Sequence, residues 1–244
     1  AIVFFPLLGA IIAGLFGPAI GARASEYITC GLMVIAAFLS WIAFFQIGLG
    51  HGDPLQITVM QWFQAGSLSV DWAFRIDTLT VVMLVVVNSV STLVHIYSIG
   101  YMHHDPHRPR FFAYLSFFTF AMLMLVTADN LVQMFFGWEG VGLASYLLIG
   151  FWYKKPSANA AAMKAFVVNR VGDFGFALGI FGLFVLFGSI SLDVIFAGAA
   201  EYLPDAGDSG AMTSLEFMGY DLDRAHALTV VCLLLFMGAM GKSA

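Results

Sequence analysis

Charge is the property that this chain lacks most. Only 10% of its 244 residues are Asp, Glu, Lys or Arg, whereas 61% are hydrophobic. A soluble domain carries about 25% charged residues, so this sequence cannot cover a water-facing surface. The apolar runs are continuous rather than alternating, which argues against a membrane β-barrel. The sequence therefore predicts an all-α polytopic membrane protein.

Cysteine is also scarce. Cys30 and Cys232 each lie within an apolar run, so they form neither a disulfide framework nor a metal or iron–sulfur cluster. The sequence has no nucleotide-binding loop, no catalytic triad and no cleavable signal, because no basic region precedes the first apolar run. The chain starts at Ala1 and stops at Ala244, directly after an apolar run. We therefore expect a fragment of a longer polypeptide.

About seven apolar segments reach the roughly 20 residues that a bilayer-spanning helix needs. They cover about residues 2–20, 27–49, 77–100, 111–127, 130–152 and 159–187, and a seventh begins near residue 225. The polar residues Arg23 to Glu26 are interpreted as a turn. Residues 50–75 hold short β-prone runs around Ala65-Gly66-Ser67, which predict an extramembrane β-hairpin. Residues 188–224 predict an acidic, water-exposed loop.

The loops differ in their content of Lys and Arg, which predicts the orientation in the membrane. One side collects Arg23, Arg108, Arg110, Lys154 and Lys155, and the other collects Arg75 and Arg224. Because cytoplasmic loops carry the excess of positive charge, the first side is expected to be cytoplasmic. The N-terminus and residues 188–224 are then expected outside.

Ionisable residues within the fifth and sixth spans are the candidate site: Glu139, Lys164, Arg170 and Asp173. Each ionised group costs at least roughly 2.5–3.5 kcal/mol at the bilayer centre, which favours a function in moving ions or protons. Glu139 lies roughly 13 Å into its span, by a rise of about 1.5 Å per residue. Its span contains no other Asp, Glu, Lys or Arg.

The other three residues remain open to more than one interpretation. Arg170 and Asp173 are spaced i,i+3 and can pair on one helix face, either as part of an ion path or as a helix-packing pair. Lys164 lies near the predicted helix end and can extend to the interface. A b-type haem protein would need two histidines near the bilayer centre, but His95 and His226 both lie near span ends.

Several motifs resemble a known family. They are GWEGVGLASYLLIGFWYKK at 137–155, AAMKAFVVNRVGDFG at 161–175, RIDTLTVVMLVVV at 75–87, LVHIYSIGYM at 93–102 and the closing GAMGKSA. Over nearly its whole length the chain is similar to the large antiporter-like subunit of respiratory complex I, called NuoL in bacteria and subunit 5 in mitochondria. The alternative is the large subunit of a Mrp-type sodium/proton antiporter, whose fifth helix is closer to WELTS than to WEGVG.

The resemblance implies a function and a site. Glu139 and Lys242 match a glutamate on the fifth helix and a lysine on a broken seventh helix, which are paired in the family and move protons. An apolar site favours the neutral lysine and a nearby carboxylate favours its charged form, so a change in their separation would load or release a proton. Residues 1–110 would be the N-terminal helices with the hairpin, and 111–244 the start of the proton-channel repeat.

The same resemblance implies the surroundings of the protein. The chain would be a subunit of a proton-translocating NADH:quinone oxidoreductase with no redox centre of its own. NADH, FMN, iron–sulfur clusters and quinone are expected in partner subunits. The expected partners are other membrane subunits of complex I, above all the neighbouring antiporter-like subunit, together with lipids and protons but no nucleic acid. The expected location is the bacterial inner membrane rather than the mitochondrial inner membrane.

Overall fold

The computed structural model describes residues 1–50, 52–199, 215–217, 220–222 and 224–243, and most of them are helical. The helices are α1 (Phe4–Leu15), α2 (Gly17–Ile20), α3 (Ala22–Ala43), α4 (Thr78–Tyr101), α5 (Arg108–Val126), α6 (Leu131–Ile149), α7 (Pro156–Phe187), α8 (Leu192–Ala199) and α9 (Arg224–Ser243). The strands are β1 (Leu55–Ala65), β2 (Leu68–Ile76), β3 (Leu215–Phe217) and β4 (Tyr220–Leu222).

The membrane-spanning pattern is confirmed. Within the described part of the chain, six helical segments are long and apolar enough to span a membrane: Ala22–Leu49, Thr78–Tyr101, Arg108–Val126, Leu131–Ile149, Pro156–Phe187 and Ala225–Ser243. The break expected in the last span does not fall within Arg224–Ser243, which is one continuous helix, so that break stays a prediction. Of the predicted acidic loop, residues 200–214, 218, 219 and 223 lie outside the described residues, and residues 192–199 form helix α8 rather than a loop.

The first predicted span is shorter than expected because it is interrupted. Helix α1 ends at Leu15, and α2 starts at Gly17 with Pro18 in its first turn. A proline donates no backbone hydrogen bond and clashes with the preceding turn, so it is tolerated at a helix start but not in a helix interior. Residues 2–20 therefore form two helices rather than one.

The second span corrects an interpretation made from the sequence. Residues Arg23 to Glu26 are not a turn, because α3 already begins at Ala22. The Glu26 side chain is buried, with 3% of its surface exposed, and its Oε1 lies 2.9 Å from Nη1 of Arg108. A paired carboxylate can be buried inside a helix bundle, which is why polar residues did not mark a loop here. The same helix continues as a π-helix over Phe44–Leu49.

The predicted hairpin is confirmed as the two-stranded sheet β1–β2. Its tight turn contains Gly66 at φ 61°, in the left-handed region that glycine enters without steric cost. A buried glutamine anchors it: the Ala73 amide donates to Oε1 of Gln133 at 2.9 Å, and the Asn130 side chain donates to the Asp71 carbonyl at 2.7 Å. The start of α6 therefore fixes the position of β2.

The described residues belong to two compact units. The first contains Ala1–Ile57, Phe74–Ala128 and Phe136–Phe166, and the second contains Thr58–Ala73, Asp129–Phe135 and Val167–Ala244. In the first unit, α1, α3, α4 and α5 pack around buried residues such as Met33, Leu84 and Phe112. In the second unit, the C-terminal part of α7 contacts α9. The division at residue 110 implied by the family resemblance stays a prediction.

Candidate functional site

Asp173 is the centre of the charged site in the second unit. Its side chain is buried on α7, with 3% of its surface exposed, and its Oδ1 lies 3.6 Å from Nζ of Lys242 on α9. Its Oδ2 lies 3.8 Å from Nη1 of Arg170, one turn earlier on α7. Both separations are longer than a direct hydrogen bond, so these are ion pairs without a tight, fixed geometry. One buried carboxylate thus lies between two cations.

A close contact between backbones brings the lysine to the aspartate. A Cβ added to Gly172 would lie 3.0 Å from the Cα of Gly241, and one added to Gly241 would lie 2.8 Å from the Cα of Gly172. These glycines are the immediate neighbours of Asp173 and Lys242. Small residues at such positions allow membrane helices to approach closely. The register of α7 against α9 therefore sets the distance between the two charges.

The predicted site residues on α7 differ in their burial. Lys164 is exposed and belongs to the first unit, and the interpretation that its amine extends toward the membrane surface stays a prediction. Arg170 belongs to the second unit, and 51% of its side chain is exposed. Among the three charged residues of α7, Asp173 is the buried one. The predicted i,i+3 pair of Arg170 and Asp173 is present, and Lys242 joins it.

Glu139 lies in the first unit, half-buried on α6. The helix approaches α5 closely on both sides of this residue. A Cβ added to Gly137 would lie 2.5 Å from the Leu125 amide nitrogen, and one added to Gly140 would lie 2.9 Å from Cβ of Ala121. The glycines flanking Glu139 thus serve the packing of α6 on α5. The pairing of Glu139 with Lys242 that the family resemblance implies stays a prediction.

Helices α3 and α5 both begin at the same end of the first unit, and this end is rich in charged contacts. We call it the basic end, and it includes the Glu26–Arg108 pair and the loop between α4 and α5. Asp105 in this loop accepts hydrogen bonds from the Trp152 indole at 3.0 Å and the His107 amide at 2.7 Å. Partial burial acts to raise the pKa of Asp105, but these hydrogen bonds and the nearby positive charges hold it below its usual value.

A buried polar cluster in the first unit was not predicted as a site. His95 on α4 has no exposed surface, and its Nε2 lies 3.1 Å from Oγ of Ser116 on α5. The sequence analysis placed His95 near a span end and used that position only to argue against a haem site. The signal that could have found it is the spacing of Asn88, Thr92 and His95, which puts three polar residues on one helix face.

These features define a polytopic α-helical membrane protein with a buried carboxylate between two cations at a helix–helix contact. Comparisons with known proteins identify its relatives. The family described as complex I chain 5 N-terminus matches residues 62–112, and the one described as NADH:quinone oxidoreductase/Mrp antiporter, TM, matches residues 128–244. The chain belongs to this family of complex I and Mrp antiporter membrane proteins.

Individual relatives cover the whole chain. It is 55% identical to NADH-quinone oxidoreductase subunit L of Rhodobacter capsulatus and 51% identical to NADH-ubiquinone oxidoreductase chain 5 of Chondrus crispus, in each case over 100% of this chain. It spans 33% and 35% of the length of those relatives. The fold also matches a chain in the Mrp complex from Dietzia sp. DQ12-45-1b, with a TM-score of 0.78 and 21% identity over 100% of this chain and 23% of that one.

Proposed function

We propose that the full-length protein is a proton-translocating membrane subunit of an NADH:quinone oxidoreductase. The observation that carries this proposal is the Lys242–Asp173 pair, in which a lysine with 17% of its side chain exposed lies 3.6 Å from a buried carboxylate. Ionisable groups inside membrane-spanning helices are costly and typically mark ion or proton pathways. Both relatives compared above are named as NADH oxidoreductase subunits.

The geometry allows Lys242 to exchange a proton under electrostatic control. A lysine ammonium can release its proton when it is desolvated, and a nearby carboxylate opposes that release. At 3.6 Å and 3.8 Å, Asp173 is within ion-pair reach of both Lys242 and Arg170. A movement of the carboxylate toward Arg170 would favour the neutral amine at Lys242, and the return movement would favour the ammonium. Glu139 is proposed as a further carboxylate that acts on Lys242 during the cycle.

The energy for this cycle is proposed to come from other subunits. Oxidation of NADH and reduction of quinone would occur on partner chains that carry FMN and iron–sulfur clusters, and this chain would hold no redox centre. The neighbouring antiporter-like subunit is the expected membrane partner. Its coupling to Lys242 would be electrostatic or conformational, since both kinds of change act on the Asp173 carboxylate.

The orientation is also part of the proposal. The basic end carries Arg108, Arg110 and Lys155, and Lys155 lies over the Trp152 ring at 4.8 Å from its centroid. Positive residues are typical of a cytoplasmic membrane surface, whereas tryptophan marks either interface. We therefore place the basic end in the cytoplasm of a bacterium and the N-terminus on the outer side. The alternative function, a sodium/proton antiporter subunit, is the less favoured one, because the relatives that cover the whole chain are named as NADH oxidoreductase subunits.

The decisive experiment replaces Lys242 in the full-length subunit. Lys242→Arg keeps the charge, but a guanidinium does not release its proton in an accessible pH range. Lys242→Met removes the titrating group. Both variants should lose proton uptake per NADH oxidised in vesicles, while electron transfer is less affected. Wild-type pumping by the arginine variant would end the role of Lys242 as a proton carrier. Pumping that requires sodium would favour the antiporter alternative.

A further inference from the structure

The buried face of α4 is polar although α4 is a membrane-spanning helix. Asn88, Thr92, His95 and Ser98 are all buried, and they follow one another at spacings of three or four residues. Residues three and four apart share a helix face, so this face points into the α1–α3–α4–α5 bundle. A buried polar group costs about 1–3 kcal/mol when unsatisfied. An apolar face would have been simpler, which suggests a functional reason for the one residue of this face that titrates, His95.

The contacts of His95 define its tautomer. Its Nδ1 lies 2.8 Å from the Ser91 carbonyl oxygen, which can only accept, so Nδ1 carries a proton. In the neutral ring Nε2 is then an acceptor. It lies 3.1 Å from Oγ of Ser116, so the serine hydroxyl donates to it. The Nε2 lone pair of His95 therefore faces a hydroxyl group, which can either donate or accept a hydrogen bond.

This hydroxyl allows the ring to hold one proton or two. If Nε2 took up a proton it would donate to Ser116 Oγ, and the Ser116 proton would need another acceptor. Serine and threonine in a helix commonly donate to the carbonyl four residues earlier. Thr119, on the same helix, does so to Leu115 at 3.1 Å. The Ser116 hydroxyl could rotate and donate to the Phe112 carbonyl, four residues earlier, while its oxygen accepts the new proton of His95. The charged ring would then have a hydrogen-bond acceptor without any backbone movement.

Buried polar residues of α3 lie between Gly9 of α1 and the basic end. A Cβ placed on Gly9 would lie 3.6 Å from Ser116 Oγ and 3.5 Å from the methyl carbon Cγ2 of Thr29. Thr29 is buried on α3 and donates to the carbonyls of Ser25 and Glu26. Glu26 in turn forms its 2.9 Å ion pair with Arg108. The buried polar residues of α3 thus include an ionisable group, Glu26, which is paired where the helices begin.

Asn88, which precedes His95 on α4, has a buried polar atom that indicates a water site. The Asn88 amide nitrogen donates to Oγ of Ser40 at 2.8 Å, and Ser40 donates to the Ala36 carbonyl at 2.8 Å. Within the described part of the chain, Oδ1 of Asn88 has no hydrogen-bond donor, although the residue is fully buried. Turning the amide over would leave its nitrogen in the same situation. A buried water is the usual partner of such an atom.

The helices that pack on α4 carry few other ionisable groups. The packed elements are α3, its π-helical extension and α5. On these elements and on α4, the remaining ionisable residues are Arg23, Glu26, Tyr27, Cys30, Tyr97, Tyr101, Arg108, Arg110 and Tyr114. Of these, Glu26 and Cys30 are buried. Glu26 is therefore the buried carboxylate of these elements.

We propose that α3, α4 and α5 hold a second proton-exchange site, in which Nε2 of His95 takes up and releases a proton and Glu26 lies on its route to the basic end. The proton arrives from hydronium and leaves to water, so only N–H and O–H bonds form and break. This site belongs to the first unit, whereas Lys242 belongs to the second. The inference rests on the proposed function in one respect, the use of proton translocation as its readout.

The test uses the full-length subunit in the assembled complex, reconstituted in vesicles. The NADH-driven membrane potential is measured relative to NADH oxidised for His95→Gln, Ser116→Ala and the control Thr92→Val. Thr92 is buried on the same face and donates to the Met33 carbonyl at 3.1 Å, so Thr92→Val removes a polar group that does not titrate. We expect a loss of potential in the first two variants and none in the control.

Chemical rescue separates a proton carrier from a structural ring. In His95→Ala, added imidazole should restore part of the lost potential, whereas pyrazole should not, because it has the same ring size but is a far weaker base. Equal restoration by both compounds would show that His95 only fills space and would overturn the proposal. So would wild-type potential in Ser116→Ala, which keeps the histidine. If Lys242→Met loses pumping while the His95 variants retain it, the second site fails and the proposed function stands.

Discussion

The α7–α9 contact makes a quantitative prediction for Gly172. An added Cβ would lie 3.0 Å from the Cα of Gly241 and 3.2 Å and 3.3 Å from the carbonyl oxygens of Gly238 and Met237. These are backbone atoms that cannot rotate away. Carbon atoms prefer separations of about 3.5–4.0 Å, so Gly172→Ala requires α9 to move by about 0.5–1 Å.

The energy of this change follows from two opposing terms. Overpacking of a close contact costs about 1–3 kcal/mol, whereas alanine is favoured over glycine in a helix by about 0.8–1.0 kcal/mol. We therefore expect Gly172→Ala to be destabilising by about 0–2 kcal/mol, the difference of those ranges. The movement would also change the 3.6 Å separation of Lys242 and Asp173, so proton uptake per NADH should fall.

A second glycine provides a matched control. Gly31 lies within α3, and a Cβ there would meet nothing within 4 Å. Gly31→Ala keeps the gain in helix preference without the clash, so it should leave pumping unchanged and raise the melting temperature or leave it unaltered. The assay is thermal unfolding of the full-length subunit in detergent, together with proton uptake in vesicles. If Gly172→Ala matches Gly31→Ala in both measurements, the close contact does not position Lys242.

Three further predictions concern other parts of the molecule. Glu139→Gln in the full-length subunit should keep assembly but lower proton uptake per NADH, because it removes a charge that we propose acts on Lys242. Single cysteines at the exposed Ser67 and Ser157 should react with an impermeant thiol reagent from opposite sides of the membrane. Asp105→Asn should lower stability at pH 7 by roughly 0.5–1 kcal/mol, since charge-assisted hydrogen bonds are stronger than neutral ones. This difference should shrink as the pH falls through the lowered pKa of the Asp105 carboxyl. A carboxyl with a lowered pKa in the folded state stabilises the fold while it is ionised, and protonation removes that stabilisation.

Each of these predictions has an outcome that contradicts it. Loss of assembly with unchanged pumping per assembled complex would make Glu139 a structural residue. Labelling of both cysteines from the same side would refute the orientation, provided that the exposed native Cys232 is first replaced by serine. A difference between wild type and Asp105→Asn that stays constant from pH 7 to pH 3 would show that the Asp105 charge does not stabilise the loop.

Much of the fold could be predicted because each span carries its own signal. A continuous apolar run of about 20 residues indicates a membrane helix by itself, and Gly66 between two β-prone runs indicates the hairpin. The Arg170–Asp173 pair also follows from local spacing. The helix limits were harder to predict. Pro18 divides the first span, and the Arg108 partner allows Glu26 to be buried in a helix rather than exposed in a turn.

The contacts between helices could not be predicted from local patterns. Lys242 reaches Asp173 because Gly172 meets Gly241, two residues that are 69 positions apart in the chain. The polar face of α4 escaped notice for a different reason. Its serine satisfies its hydrogen bonding within the helix, because Ser98 donates to the Val94 carbonyl at 2.7 Å, so this residue fits into an apolar span at little cost. A histidine cannot form hydrogen bonds within its own helix through both ring nitrogens. His95 needs Ser116 from another helix, and for this reason a buried histidine indicates a built polar site more strongly than the hydroxyl residues around it.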